Sequence, residues 1–268
     1  MPELAELPPL PATLSARREG AQGRVAVLTL ERPAKRNALD DATVLGLERF
    51  FTRLPDDVGV VVLAAAGDHF CAGLDLAEMR ERDTLAGVHH SRMWHRAFEA
   101  VELGPVPVVA ALKGAVVGGG LELAAAAHLR VAERSTFYAL PEGMRGLFVG
   151  GGGAVRLPRL IGVARMTDLM LTGRRYDAEE GAAAGLAQYV VDDGAGLDTA
   201  LELAGRIAQN APQTNYAVVQ ALPRIAESDP RQGYLMESMM AAIAQGTDDA
   251  KQRMQDFLDG RAKKVTDR

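Results

Sequence analysis

A chain of 268 residues with 48% hydrophobic and 24% charged residues can bury a sizeable core in one large domain or two small ones. Its formal net charge of -5 gives no general attraction to nucleic acid or to anionic membrane. The single cysteine, Cys71, excludes an internal disulfide; with no membrane-length apolar run and no basic-then-apolar leader pattern, a cytoplasmic protein is expected.

Residues 1–14 carry P-P-L-P and read as an extended arm, so the layout expected is an arm over 1–20, an α/β core over 21–196 and a helical region over 197–268. Residues 24–30, R-V-A-V-L-T-L, predict the first long strand, followed by the basic loop R-P-A-K-R-N. Asp40 or Asp41 can cap a helix that carries Val44, Leu47, Phe50 and Phe51 on one face and stops before Pro55. Residues 58–65 are almost wholly apolar, which suits a strand covered on both faces of a largely parallel sheet, and the fold class is therefore α/β. Gly73 and Asp75 predict a turn and a cap for a helix beginning near Leu76. A helix over 91–103 and a strand over 105–112 then lead to three successive glycines.

Those glycines stand in V-V-G-G-G-L-E-L-A-A-A, residues 116–126, a strand, a tight turn and a helix start. Gly118, Gly119 and Gly120 would let a ligand touch bare backbone, and the first helical N–H groups lack intrahelical acceptors, which makes a place for a negative oxygen. Glu122 lies in that first turn, and a carboxylate beside such donors is a catalytic arrangement. Taken alone, the stretch reads equally well as ordinary α/β packing. It matches neither the phosphate-loop nor the dinucleotide glycine pattern.

Further along, residues 129–132 predict a short strand, and Glu142 follows Pro141 on an irregular connection, where by itself it reads as a loop glutamate. Gly150 to Gly153 turn into a short helix, a place for phosphate or, more simply, for close packing of a helix end. Helices follow over 164–171 and 177–187, the second capped by Asp177. From residue 197 the pattern is helical alone, with an apolar stripe of Met236, Met239, Met240 and Ile243 that fits core or subunit contact. The histidines His69, His89, His90 and His95 have no second ligand cluster at useful spacing, so no metal is expected. Cys71 reads as a small buried thiol.

Three segments in order, F-C-A-G-L-D-L, V-V-G-G-G-L-E-L and F-Y-A-L-P-E, resemble the enoyl-CoA hydratase/isomerase family, the crotonase superfamily. The resemblance runs from about Val25 into the C-terminal helices and implies a spiral of ββα units with a helical trimerisation region, although no repeat is visible in the sequence. It places an oxyanion hole on the N–H groups of Ala72 and Gly119 and the hydratase glutamates on Glu122 and Glu142, which turns the reading of Glu142 from loop residue to acid/base. It implies coenzyme A contacts at Lys35, Arg36, Ala38, Ala72 and Leu74, with Asn37 in the same loop, and at Phe257 and Lys264.

The activity implied is hydration of a 2-enoyl-CoA thioester in fatty acid metabolism. Coenzyme A would be part of the substrate and no separate cofactor is expected. The assembly implied is a homotrimer or a dimer of trimers. Two carboxylates sharing one water are expected to raise at least one pKa, letting one act as an acid near neutrality. Arg145 and Val149 depart from the usual hydratase pattern where the acyl pocket could be lined; Arg145 would meet a polar acyl group or form an ion pair. An isomerase needs only Glu142, and the acidic balance argues against an RNA-binding relative.

Overall fold

The computed structural model describes residues 4–20, 22–78 and 83–261 and contains two compact units, Met1–Ala208 and Gln209–Arg268. In chain order the first unit runs β1 (Leu14–Glu19), β2 (Val25–Leu30), α1 (Asp41–Thr52), β3 (Val60–Ala65), α2 (Thr84–Glu102), β4 (Val108–Leu112), β5 (Ala115–Val117), α3 (Gly119–Ala126), β6 (Leu129–Glu133), β7 (Phe137–Ala139), α4 (Gly153–Ile161), α5 (Val163–Thr172), β8 (Arg175–Asp177), α6 (Ala178–Ala184), β9 (Tyr189–Val191) and α7 (Gly196–Ala208). A six-stranded sheet has the order β1-β2-β3-β4-β6-β9 and a three-stranded sheet the order β5-β7-β8. Among the described residues only β1 with β2 and β7 with β8 pair antiparallel.

The large sheet is covered on both faces, as its unbroken apolar strands require. Alternate residues divide between two cores: Ala26, Leu28, Val61 and Leu63 face the helices α1 and α2 with Phe50 and Phe98, while Val25, Val27, Val60, Val62 and Val109 face Ala200 and Ala204 of α7. The alternation is the period of two of a β-strand.

The winding of the chain brings its loop tips together. After β2, β3 and β4 the chain crosses to a second layer before entering a helix. In that layer Leu39 bridges Leu74 and Cys71 bridges Val116, both parallel, and β5 pairs parallel with β7. The repeating unit is therefore strand, short second-layer strand, helix. In the first two turns the second strand is reduced to isolated bridges, at Leu39 and then at Cys71 and Leu74, which explains why no repeat is legible in the sequence.

Four expectations need correction. Residues 14–19 are a strand rather than part of an arm, because Leu14 to Glu19 pair in register with Leu30 to Val25. The glycines of α3 are fed by the separate strand β5 and not by β4, whose course ends before Gly114 at a φ of 50°. The helix predicted from 91 begins at Thr84, capped by Asp83, whose carboxylate accepts from Ala86 N. α7 belongs to the first unit, since its small residues Ala200 and Ala204 let it lie flat on the sheet.

The second unit contains α8 (Pro212–Tyr216) and α9 (Leu222–Glu227), joined by a π-helical segment Ala217–Ala221, then α10 (Pro230–Gly246) and α11 (Asp248–Leu258). Met239 and Ile243 of the expected stripe are exposed, and Tyr234 and Leu235 add to the apolar surface of α10. Among the described residues no helix is long and apolar enough to cross a membrane.

Candidate active site

Between β5 and α3, Gly118 adopts φ 54° and ψ -124°, a conformation that only glycine takes without strain. A Cβ at Gly118 would also stand 2.6 Å from Glu142 Oε1. Across from it, Gly73 has φ 94°, and a Cβ there would stand 2.9 Å from Val117 O and 3.2 Å from Gly119 N. The loop after β3 and the start of α3 thus meet backbone to backbone.

Two amides are left unpaired at this meeting. Gly119 opens α3, so its N–H has no intrahelical acceptor. Leu39 N donates to Gly73 O at 2.7 Å and Asp75 N donates to Leu39 O at 2.8 Å. In a parallel ladder this turns the N–H of the intervening Leu74 to the other side. Leu74 N lies 3.6 Å from the position a Cβ on Gly119 would take. Among the described residues neither N–H has an acceptor. Ala72, the donor expected from the sequence, is otherwise engaged: its N–H donates to Arg36 O at 2.9 Å. The pair able to receive an anionic oxygen is Leu74 and Gly119.

Glu122, in the first turn of α3, is 3% exposed. Its Oε1 accepts from Gly151 N at 2.8 Å and from Gly153 N at 2.7 Å. Burial pushes its carboxyl above the usual range, against the amides of Gly153 and Gly151 and the charge of Arg156. Glu142 follows β7 and opens a 3-10 turn, Gly143–Arg145. Its Oε2 is buried without a hydrogen-bond partner among the described residues, and burial, with the charge of Glu122 adding to it, raises its pKa to about 7, although its own backbone N–H and Arg145 oppose this. Desolvation is therefore the leading cause at both sites, rather than the mutual repulsion expected from the sequence.

Both carboxyls line one cavity of about 290 Å³ with Leu74, Gly119, Trp94, Arg145, Leu147, Phe148 and Val149. Such an arrangement can hold a developing negative oxygen and exchange protons at a bound carbon pair. Arg145 and Val149, the two departures noted in the sequence, both lie in its wall, and Arg145 has no carboxylate within ion-pair distance among the described residues. Sequence reading missed the contribution of α2, whose His90, Ser91 and Trp94 line the cavity. Their spacing of one helical turn was the available signal. The Trp94 ring packs where a side chain at Gly119 would go, with Cζ3 2.8 Å from that Cβ position, and His90 Nε2 lies 2.7 Å from Asp41 Oδ1.

The basic loop lies beside the segment that holds Leu74. Lys35 Nζ and Arg32 Nη2 both reach Asp75 Oδ2, at 2.8 and 2.7 Å. These cations, Lys35 first, hold the Asp75 carboxyl well below its usual range. Arg36 is exposed, Ala38 is half-buried, and Asn37 is a buried brace: its side chain accepts from Arg32 N and donates to Ala66 O and His69 O. Phe257 is exposed on α11 in the second unit, and Lys264 lies outside the described residues. Burial raises the Cys71 thiol to about 12. Among the described residues no group of three His, Cys, Asp or Glu side chains is gathered as for a metal ion.

The family model described as enoyl-CoA hydratase/isomerase matches residues 20–268. The chain is 33% identical over 243 residues to a short-chain-enoyl-CoA hydratase of Clostridium acetobutylicum, covering 90% of this chain and 93% of that one. It is 32% identical to the 2,3-dehydroadipyl-CoA hydratase of Escherichia coli, over 90% of this chain and 94% of that one. The crystal structure of a provisionally named enoyl-CoA hydratase from Rhodopseudomonas palustris superposes with a TM-score of 0.91 at 56% identity, over 96% of this chain and 98% of that one.

Proposed function

The chain belongs to the enoyl-CoA hydratase/isomerase family, the crotonase superfamily, and from that premise we propose that it adds water to the double bond of a 2-enoyl-CoA thioester. The thioester oxygen binds between the N–H groups of Leu74 and Gly119. Glu122 takes a proton from a water as its oxygen attacks the β-carbon. The π electrons move onto the thioester oxygen, and the enolate collapses as Glu142 delivers its proton to the α-carbon, giving a 3-hydroxyacyl-CoA. Loss of one such backbone donor typically costs about 2.7 to 4 kcal/mol of barrier.

One observation carries the reading: two glutamates share a cavity, both shifted upward by burial but given different hydrogen-bond partners. Glu122 receives two amide hydrogen bonds that favour its ionised form, whereas Glu142 has a buried oxygen without a donor and a pKa raised to about 7. Lys35, Arg36 and Ala38 are our proposed contacts for the coenzyme A moiety. Arg145 gives the acyl end of the cavity a cation for a polar or carboxylate-bearing chain. The exposed apolar residues of α10 support assembly into trimers.

A panel of 2-enoyl-CoA esters of varied length, branching and terminal charge tests the reading. Loss of conjugated-thioester absorbance with a mass gain of one water supports it; conversion without mass change means an isomerase, and no conversion of any ester rejects it. Because Glu142 must be protonated, kcat/KM for hydration should fall as pH rises through about 7.

A further inference from the structure

The glycine turn that orients Glu122 is itself held from α2 and α4. The Gly150–Gly151 peptide presents Gly151 N–H to Glu122 Oε1 at 2.8 Å. The carbonyl on the opposite edge of that amide, Gly150 O, accepts from Ser91 Oγ at 2.7 Å. One residue on, Gly151 O accepts from Arg156 Nη1 at 3.0 Å, and Arg156 Nε is paired with Glu102 Oε2 at 2.6 Å. Ser91 and Glu102 both lie on α2, and Arg156 on α4. The helix can come this close because Gly151 has no side chain: a Cβ there would stand 2.9 Å from the Phe98 ring. An amide whose carbonyl accepts a hydrogen bond is polarised and donates more strongly through its N–H.

We propose that Ser91 and the Glu102–Arg156 pair are positioning residues for Glu122, acting through the Gly150–Gly153 turn. None of the three belongs to the acid–base pair or to the oxyanion donors. Ser91 strengthens the amide that faces the carboxylate, and Arg156 fixes the next carbonyl so that the turn keeps its N–H groups on Glu122. The proposal rests on the reading of Glu122 as the base, but its first test needs no turnover.

The groups around Glu122 that carry or change charge are Glu142 after β7, Arg145 in the following turn and Arg156 on α4. On α2 they are Glu102, His90 and His95. His95 Nε2 lies 3.3 Å from Ser91 Oγ, and His95 is held below its usual range by burial first and then by Arg92 and Arg156. An infrared pH titration isolates Glu122 from these, because its carboxyl band is the one lost in Glu122→Gln.

Weakening a donor to the ionised form raises a carboxyl pKa, so the Glu122 midpoint should move to higher pH in Ser91→Ala and return in Ser91→Thr, with circular dichroism showing both variants folded. On an enoyl-CoA that the wild type hydrates, Ser91→Ala should lower kcat roughly 3- to 10-fold, the worth of one neutral hydrogen bond, with KM changed less than about twofold. An unmoved midpoint in Ser91→Ala overturns the clamp, as does an unchanged kcat. A wild type that hydrates no ester rejects the function proposed above, while the infrared midpoint still decides the clamp.

Discussion

Glu122 reaches the cavity from the first turn of α3, where two glycine amides hold one of its oxygens. Glu142 reaches it from the connection after β7, where one of its oxygens is buried with no donor among the described residues. Burial pushes both carboxyls upward, yet the first has a built set of partners and the second has only its own backbone N–H and Arg145 to oppose desolvation. Supplied donors favour an ionised base, and withheld donors favour a protonated acid. On the proposed reading, the same side chain is given two tasks by what the backbone around it does.

The largest expected effect comes from removing either member. Glu122→Gln and Glu142→Gln should each lower kcat by about 10² to 10⁴, the usual worth of a positioned acid or base, with KM for the ester little changed. Steady-state kinetics at several pH values checks this, and near-normal turnover in both variants would dissolve the contrast.

A smaller loss should follow from disturbing only the partners of Glu122. In Gly153→Ala the new Cβ would lie 2.7 Å from Glu122 Cγ and 2.8 Å from Oε1, so the carboxylate must move. A misplacement of order 1 Å can cost about 10²-fold in kcat, and the Glu142-controlled fall of rate with pH should persist. A changed alkaline limb would mean that the two carboxyls are not separable.

The smallest expected effect is on stability. The folded-state pKa of Glu142 is raised to about 7 from 4.5, so the native state binds its proton more tightly than the unfolded chain. Stability from this group is full below the unfolded pKa and is lost as pH rises through about 7. Glu142→Gln, which has nothing to ionise, should therefore melt at a higher temperature than wild type at pH 8, by at most about 3 kcal/mol in free energy, and the gap should close towards pH 4.

Much of the fold was legible because its signals are local. A β-rich run marked β2, a nearly all-apolar run marked β3, and the pair Asp40 and Asp41 marked the start of α1, where the Asp40 carboxylate accepts from Thr43 N at 2.8 Å. The glycines before Glu122 marked the turn for the same reason. What escaped depends on distant partners. Whether Ala72 or Leu74 offers a free amide is decided by the pairing of that loop with Arg36 and Leu39, and nothing within F-C-A-G-L-D-L fixes it. Gly150 to Gly153 read as helix-end packing because their acceptor, Glu122, is some thirty residues earlier in the chain. β5, at three residues, is too short for any periodicity to show.

The most direct measurement is a crystal structure with a saturated acyl-CoA, which carries the thioester but no double bond to hydrate. The account requires the thioester oxygen to sit about 2.7 to 3.1 Å from both Leu74 N and Gly119 N, with the carboxyls of Glu122 and Glu142 flanking the α- and β-carbons. A thioester oxygen bound at Ala72 N, or a Glu142 carboxyl turned out of the cavity, would contradict it.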